Sequence, residues 1–329
     1  MSQDIAIYSG SAVLHWSALV ITLGLLAALF MTLALQRANR GPAFVVFLFF
    51  ALSILFSVPL CRILHWYCHT EQYSGLLSAL RDYSTGSYVL PGAMLGVWLA
   101  AYLATRLDSG SCAALLDAAA PGLALVVAFI RLSAQFNASC RSKISVLTPI
   151  LQHLPLASGV TNSAGQTEYR FATYFVHFLL MLLICWWLLH FFFAYRRVPM
   201  RSGSAEGNVI RMFLLAYSAT EMVLDSTRYD SSFLPFNGFI SFVQIVAAAS
   251  MLGILIYYSV HSVRAHGGVR AVHWVLWIGW FLSLAAGGFL EYLVQRHGDW
   301  YLPCYLAMAL CCVLMMAFVY RMYLTCCKE

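Results

Sequence analysis

The sequence predicts an all-α fold, a polytopic membrane helical bundle of about nine transmembrane helices, and three observations predict it. First, 62% of the 329 residues are apolar and 10% are charged, with a mean hydropathy of +0.79, a composition that does not describe a soluble domain. Second, the apolar residues collect in nine stretches near 11–35, 43–65, 88–106, 112–137, 171–195, 207–227, 238–262, 270–294 and 300–325, each long enough to cross roughly 30 Å of hydrocarbon as a helix. Third, basic residues concentrate at alternate loops. Arg37, Arg40, Arg106, Arg196, Arg197, Arg201, Arg211, Arg264, Arg270, Arg321 and Lys328 lie at one set of loops and helix ends, eleven of the nineteen Lys and Arg. The positive-inside rule then places the N-terminus outside and the C-terminus inside.

The first stretch follows ten residues without a basic n-region and ends at Q-R-A-N-R, so it is expected to be kept rather than cleaved as a signal peptide. The connections are short except for 66–87 and 138–170, both on the predicted outer side, where a substrate would be received. The second holds L-T-P-I-L-Q-H-L-P-L followed by A-S-G-V-T-N-S-A-G-Q-T. Its apolar half is expected to lie in the membrane interface, and its Gly, Ser and Pro content predicts a turn region after it.

Several function classes lose support at this level. The net charge of +6 fits a face resting against anionic lipid, and no dense basic run points to nucleic acid. The ten cysteines show no C-x-x-C spacing and lie mostly in apolar segments, where they act as small hydrophobes. No metal site and no cofactor are expected. No internal repeat or matched pair of broken helices suggests a transporter with inverted halves.

The charges inside the apolar stretches are the informative ones, because charge in hydrocarbon is costly and marks a functional interior. Glu221, Asp225 and Arg228 fall at offsets of four and seven residues, about 400° and 700° around a helix, so their side chains point within about 60° of one another. Arg62 closes the second stretch and Arg131 comes late in the fourth. His15 and Trp16 enter with the first, and Tyr174 and His177 with the fifth. The predicted topology puts all of these in the outer half of the bilayer. Arginine grips a phosphate well in low dielectric, so an anionic phospholipid head group is the natural guest. Plainer roles compete: the charges as ion pairs locking helices in register, His177 as a packing residue, and His15 with Trp16 as part of an aromatic belt. Asp117 is expected to serve the dipole of its own helix and is left out of the site.

These residues resemble a known family, the prolipoprotein diacylglyceryl transferases of bacterial inner membranes. The resemblance runs over residues 12–258 and is carried by V-L-H-W at 13–16, Q-R-A-N-R-G-P at 36–42, Arg62, S-Y-V-L-P-G-A-M-L-G at 87–96 and L-L-D-A-A-A-P-G-L-A at 115–124. It continues with R-L-S-A-Q-F-N at 131–137, similar to the family signature G-R-x-G-N-F-x-N. Then come Q-T-E-Y-R-F-A-T-Y-F at 166–175, L-L-A-Y-S-A-T-E-M-V-L-D-S-T-R-Y-D at 214–230, and Gln244 with the segment to Tyr258.

The resemblance implies a multi-pass protein of the bacterial cytoplasmic membrane with a seven-helix core and two further helices. Residues 1–262 would form the transferase-like domain; the extension, 263–329, lies beyond the family pattern and adds Glu291 and Tyr292, for which three roles stay open: covering the lateral gate, recruiting a partner, or packing alone. It implies that a diacylglyceryl group passes from phosphatidylglycerol to the thiol of a lipobox cysteine in a prolipoprotein, with release of glycerol phosphate. Carried over, Arg131 and Asn137 would bind the head group, and Arg62, Tyr217, Asp225 and Arg228 would line the cavity. The departures fall on the chemistry. Pro91 stands where the family has the histidine of H-G-G, and proline can neither take a proton nor donate a hydrogen bond. Ser17, Ser133 and Ala134 replace a family Tyr, Gly and Asn, and Glu221 replaces an arginine. His15, Glu221 and Asp225 are the candidates for a replacement base. Three readings stay open: a transferase using that base, a catalytically silent protein binding phospholipid or a membrane partner, and a small transporter.

Overall fold

A computed structural model describes residues 5–9, 12–81, 89–108, 110–136, 142–161, 166–195, 205–234, 238–297 and 301–327. The protein is a helical bundle in which each of the nine predicted stretches is a helix: α1 Trp16–Ala38, α2 Ala43–Cys68, the short α3 Leu76–Arg81, α4 Leu90–Asp108, α5 Cys112–Ser133, the single-turn α6 Pro149–Gln152, α7 Thr173–Tyr195, α8 Asn208–Leu224, α9 Phe242–His266, α10 Ala271–His297 and α11 Tyr301–Cys326. Seven of the long helices have the length and apolarity to cross a membrane. The two outside that set, α4 and α8, are the shortest of the nine, at 19 and 17 residues. At 1.5 Å per residue α8 rises about 25 Å, short of the roughly 30 Å hydrocarbon layer.

Several boundaries shift by a few residues, α5 ending at Ser133 and α9 spanning Phe242–His266, and two shifts have a clear local cause. The first helix begins at Trp16, not 11, because Ala12–His15 forms strand β2, paired antiparallel with β1, Ile5–Ser9. Helix α8 stops at Leu224 instead of running to 227. The hydroxyls that follow it take over its last carbonyls: Thr227 Oγ1 donates to Leu224 O at 2.8 Å and Ser231 Oγ to Asp225 O at 2.6 Å, the competition by which Ser and Thr end helices. A second hairpin, β3 Ala157–Thr161 with β4 Thr167–Phe171, fills the loop before α7.

Helix α5 packs against α1, α7 and α8, and α8 in turn meets α7, α9 and α11. The α2–α4 pair is held by Gly92 and Gly96, four residues apart on one face. A Cβ at Gly92 would stand 2.5 Å from the backbone N of Cys61, and one at Gly96 2.6 Å from Ser57 Cα. Small residues at this spacing let two backbones approach in a lipid environment, where no hydrophobic force drives helices together.

Asp117 corrects one reading of the sequence. It does not serve the start of its own helix: Oδ2 accepts from Gly207 N at 2.6 Å and Oδ1 from Ile210 N at 2.9 Å. It therefore caps α8, satisfying N–H groups that have no partner within that helix. The loop after α5 holds the expected short apolar element as α6, but residues 157–161 of the expected turn region form strand β3, because pairing with β4 satisfies their backbone groups. Leu147 and Ile150 are 85% and 76% exposed around α6. The segment is tied to the second hairpin by Val146 N to Tyr169 O at 2.8 Å and Phe171 N to Ile144 O at 3.0 Å.

Candidate functional site

Three helix ends meet at one place. The last turn of α5 supplies Arg131, the second turn of α7 His177, and the last turns of α8 Tyr217 and Glu221, with Asp225, Arg228 and Asp230 on the segment that follows. Helices α5 and α8 run one way and α7 the other, and this sets the C-terminal ends of the first two beside the N-terminal end of the third. Ala124, Val127 and Ala128 of α5, Met181 of α7, and Met212 and Leu215 of α8 are buried in one apolar core, and that packing fixes where the polar ends stand.

Glu221 is the centre. It is 0% exposed, with Asp225 and His177 at 1% and Tyr217 at 3%. Arg131 Nη2 donates to Glu221 Oε1. Arg228 Nη1 lies 3.6 Å from the same oxygen and 3.7 Å from Asp225 Oδ1. His177 Nε2 lies 3.2 Å from Glu221 Oε2, close but not aligned as a hydrogen bond. Arg228 spends its other donors on Asp230, Nε to Oδ1 at 2.8 Å and Nη2 to Oδ2 at 2.7 Å, a bidentate pair of the strong kind. Two guanidinium groups thus face three carboxylates.

The incomplete pairing is chemically informative. Arg131 Nε, Glu221 Oε2, Asp225 Oδ2 and Tyr217 OH are buried with no hydrogen-bond partner among the described residues. Each such atom costs about 1–3 kcal/mol relative to a satisfied one, so four together mark a place built for something besides packing. The set includes a cationic donor, two carboxylate acceptors and a hydroxyl: groups able to hold an anion at one end and accept a proton at the other.

The structure gathers Arg131, Tyr217, Glu221, Asp225 and Arg228 as the sequence anticipated, and adds His177 and Asp230. For His177, on a helix rich in Phe, Leu and Trp, the sequence favours a packing role. Asp230 has no helical spacing to mark it, and its place two residues after Arg228 in a polar turn is its one sequence signal. Two candidates stand apart from these contacts. Arg62, 1% exposed, donates from Nε and Nη2 to Ala79 O at 3.1 and 2.7 Å, which joins α2 to α3. His15 is exposed at the end of β2. Asn137 lies outside the described residues. Pro91 is buried in the first turn of α4, where it can exchange no proton.

The family described as prolipoprotein diacylglyceryl transferase matches residues 4–260 of the chain. No curated protein matches it.

Proposed function

The chain belongs to the prolipoprotein diacylglyceryl transferase family, a transferase family acting on phospholipid and prolipoprotein, and from that premise we propose that this multi-pass protein transfers a diacylglyceryl group from phosphatidylglycerol to a lipobox cysteine at a bacterial cytoplasmic membrane. The observation that carries the reading is the pairing of two unused buried atoms in one cluster, Arg131 Nε and Asp225 Oδ2. One is a donor for a phosphate and the other an acceptor for a thiol proton.

In this reading Asp225 takes the proton from the cysteine S–H. The thiolate attacks the glyceryl carbon that bears the phosphate ester, the C–S bond forms as the C–O bond breaks, and glycerol phosphate departs with the extra negative charge. Arg131 meets that charge in low dielectric, where a fixed cation counts for most. Glu221 is assigned a different part, because its Oε1 is held by Arg131 with Arg228 close by, and two cations beside a carboxylate make it the weaker base. Its part is to orient the two guanidinium groups before the lipid arrives. Tyr217 OH, still unpaired, supplies a further hydrogen bond to the phosphate ester.

The test is direct. Purified protein, phosphatidylglycerol and a lipobox peptide should yield the thioether product by mass shift, and Asp225→Asn should lower the rate about 10²–10⁴-fold, the usual worth of a general base. Absence of product under conditions where a conventional family member forms it would remove the reading.

One observation favours a second reading. Glu221 already stands against both Arg131 and Arg228, and Pro91 replaces the family's histidine, a combination suited to a silent relative that holds phospholipid without turning it over. Such a protein would keep its lipid after Glu221→Gln and Asp225→Asn, whereas the enzyme loses turnover.

A further inference from the structure

The family match ends at residue 260, yet a buried carboxylate from beyond it reaches the candidate site. Glu291, on α10, is 3% exposed. Its Oε1 accepts from Ser226 Oγ at 2.9 Å and from Gln295 Nε2 at 2.9 Å. Tyr305, at the start of α11, places its hydroxyl 3.4 Å from the Ser226 carbonyl and 3.5 Å from Ser226 Oγ. Ser226 is the residue after Asp225 and stands two before Arg228. A charged side chain is expensive to bury, and an extension needing only to pack would have used an apolar residue here.

The segment grasped in this way has little helix of its own to hold it. Beyond Leu224 the chain continues through turn hydrogen bonds, Thr227 N to Leu224 O at 3.2 Å and Arg228 N to Asp225 O at 3.1 Å. Within the turn Ser231 Oγ donates to Asp225 O at 2.6 Å and lies 3.1 Å from Arg228 O. Further supports come from the family core: Ser142 Oγ and Lys143 N meet Thr227 O at 3.0 and 2.7 Å, and Thr173 Oγ1 meets Thr227 Oγ1 at 2.8 Å. These bonds fix residue 227 from one side. Glu291 and Tyr305 fix residue 226 from the other.

We propose that Glu291 is a positioning residue: through Ser226 and together with Tyr305, the C-terminal helix pair clamps the turn that aims Asp225 and Arg228 into the site. Packing agrees with this role. Helix α11 docks on α8 and α9 by burying Cys312, Met315 and Met322, while α10 leans on α11, with Val294 and Met308 in one cluster, and extends Glu291 to the turn. The consequence for turnover rests on the transferase reading above. The consequence for the turn does not.

The experiment uses full-length protein in nanodiscs, with Glu291→Leu, Glu291→Gln, Ser226→Ala and the Glu291→Leu/Ser226→Ala double variant. Amide hydrogen exchange over residues 225–232 is read beside transfer kinetics. Glu291→Leu should speed exchange in that segment about tenfold and lower kcat about 10- to 100-fold, the scale of a misplacement near 1 Å, with KM for lipid little changed. Glu291→Gln, whose amide oxygen accepts the same two hydrogen bonds, should restore both. Ser226→Ala should act like Glu291→Leu, and the double variant should be no worse than either alone, because the two share one interaction. Native exchange in Glu291→Leu, or a Gln variant as impaired as the Leu variant, would overturn the proposal. If the wild type transfers nothing, the transferase reading falls, and the exchange data alone still decide for or against the clamp.

Discussion

His177 Nε2 stands 3.2 Å from Glu221 Oε2, both side chains 1% exposed, and the two face each other between α7 and α8 where Arg131 arrives from α5. A carboxylate in this position serves three helices at once, and its removal leaves two guanidinium groups without their shared counter-charge.

Glu221→Leu is therefore expected to destabilise the protein by about 3–5 kcal/mol, the usual cost of breaking a buried ion pair from one side. Thermal unfolding in mild detergent should show a clear fall in Tm. Glu221→Arg, which restores the family residue but adds a third cation, should fare no better unless anionic lipid is supplied. A full rescue by lipid would show that the arginines are built to bind phosphate.

Arg131 keeps a buried Nε without a partner among the described residues, so it has a donor left for a ligand. Native mass spectrometry of protein extracted gently should find phosphatidylglycerol bound and should find it lost in Arg131→Ala. No specific lipid on the wild-type protein would leave the cluster as a structural ion-pair network.

Capping of α8 by Asp117 makes a separate prediction. Asp117→Ala removes the acceptor for Gly207 N and Ile210 N and should cost about 1–2 kcal/mol. Asp117→Asn keeps one oxygen and should recover roughly half. Equal Tm values for the Ala variant and the wild type would show that the cap adds nothing measurable.

Close contact at Gly92 predicts an asymmetry between two glycines. Gly92→Val would drive a side chain into the backbone at Cys61, where even a Cβ comes within 2.5 Å, and should abolish stable expression. Gly253→Ala, with nothing within 4 Å of its Cβ, should be tolerated or slightly stabilising, because alanine is the better helix former by about 1 kcal/mol.

The exposed Leu147 and Ile150 are suited to the membrane interface. A Leu147→Trp variant in nanodiscs should be quenched by lipids brominated near the head group and weakly by lipids brominated near the chain end. Emission typical of water, with no quenching by either, would place the loop clear of the bilayer.

Much of this was legible in residue order. The positions of all nine long helices could be read because apolar stretches of helical length have few alternatives in hydrocarbon, where each backbone group must find its partner within the segment. The stripe of Glu221, Asp225 and Arg228 followed from helical spacing, and it held although Arg228 lies beyond the end of α8, because the turn after Leu224 keeps roughly the helical path. The pairing of β1 with β2 was hidden by the apolar character of these segments, which at that length fits a strand as well as a helix end. Asp230 was hidden because a turn has no period.

By itself, then, the sequence determined the class of the fold, the family, the helices, and the fact that ionisable groups would be buried where they must be useful or paired. Only the tertiary structure decided which groups pair with which. It placed Glu221 between two arginines, turned Arg62 to a backbone carbonyl, gave Asp117 to a neighbouring helix and brought Glu291 to Ser226. The physical reason is one of range. Burial and periodicity are summed over many residues and survive local detail, whereas a hydrogen bond is made or lost within a few tenths of an ångström, and that distance is set by the packing of helices far apart in the chain.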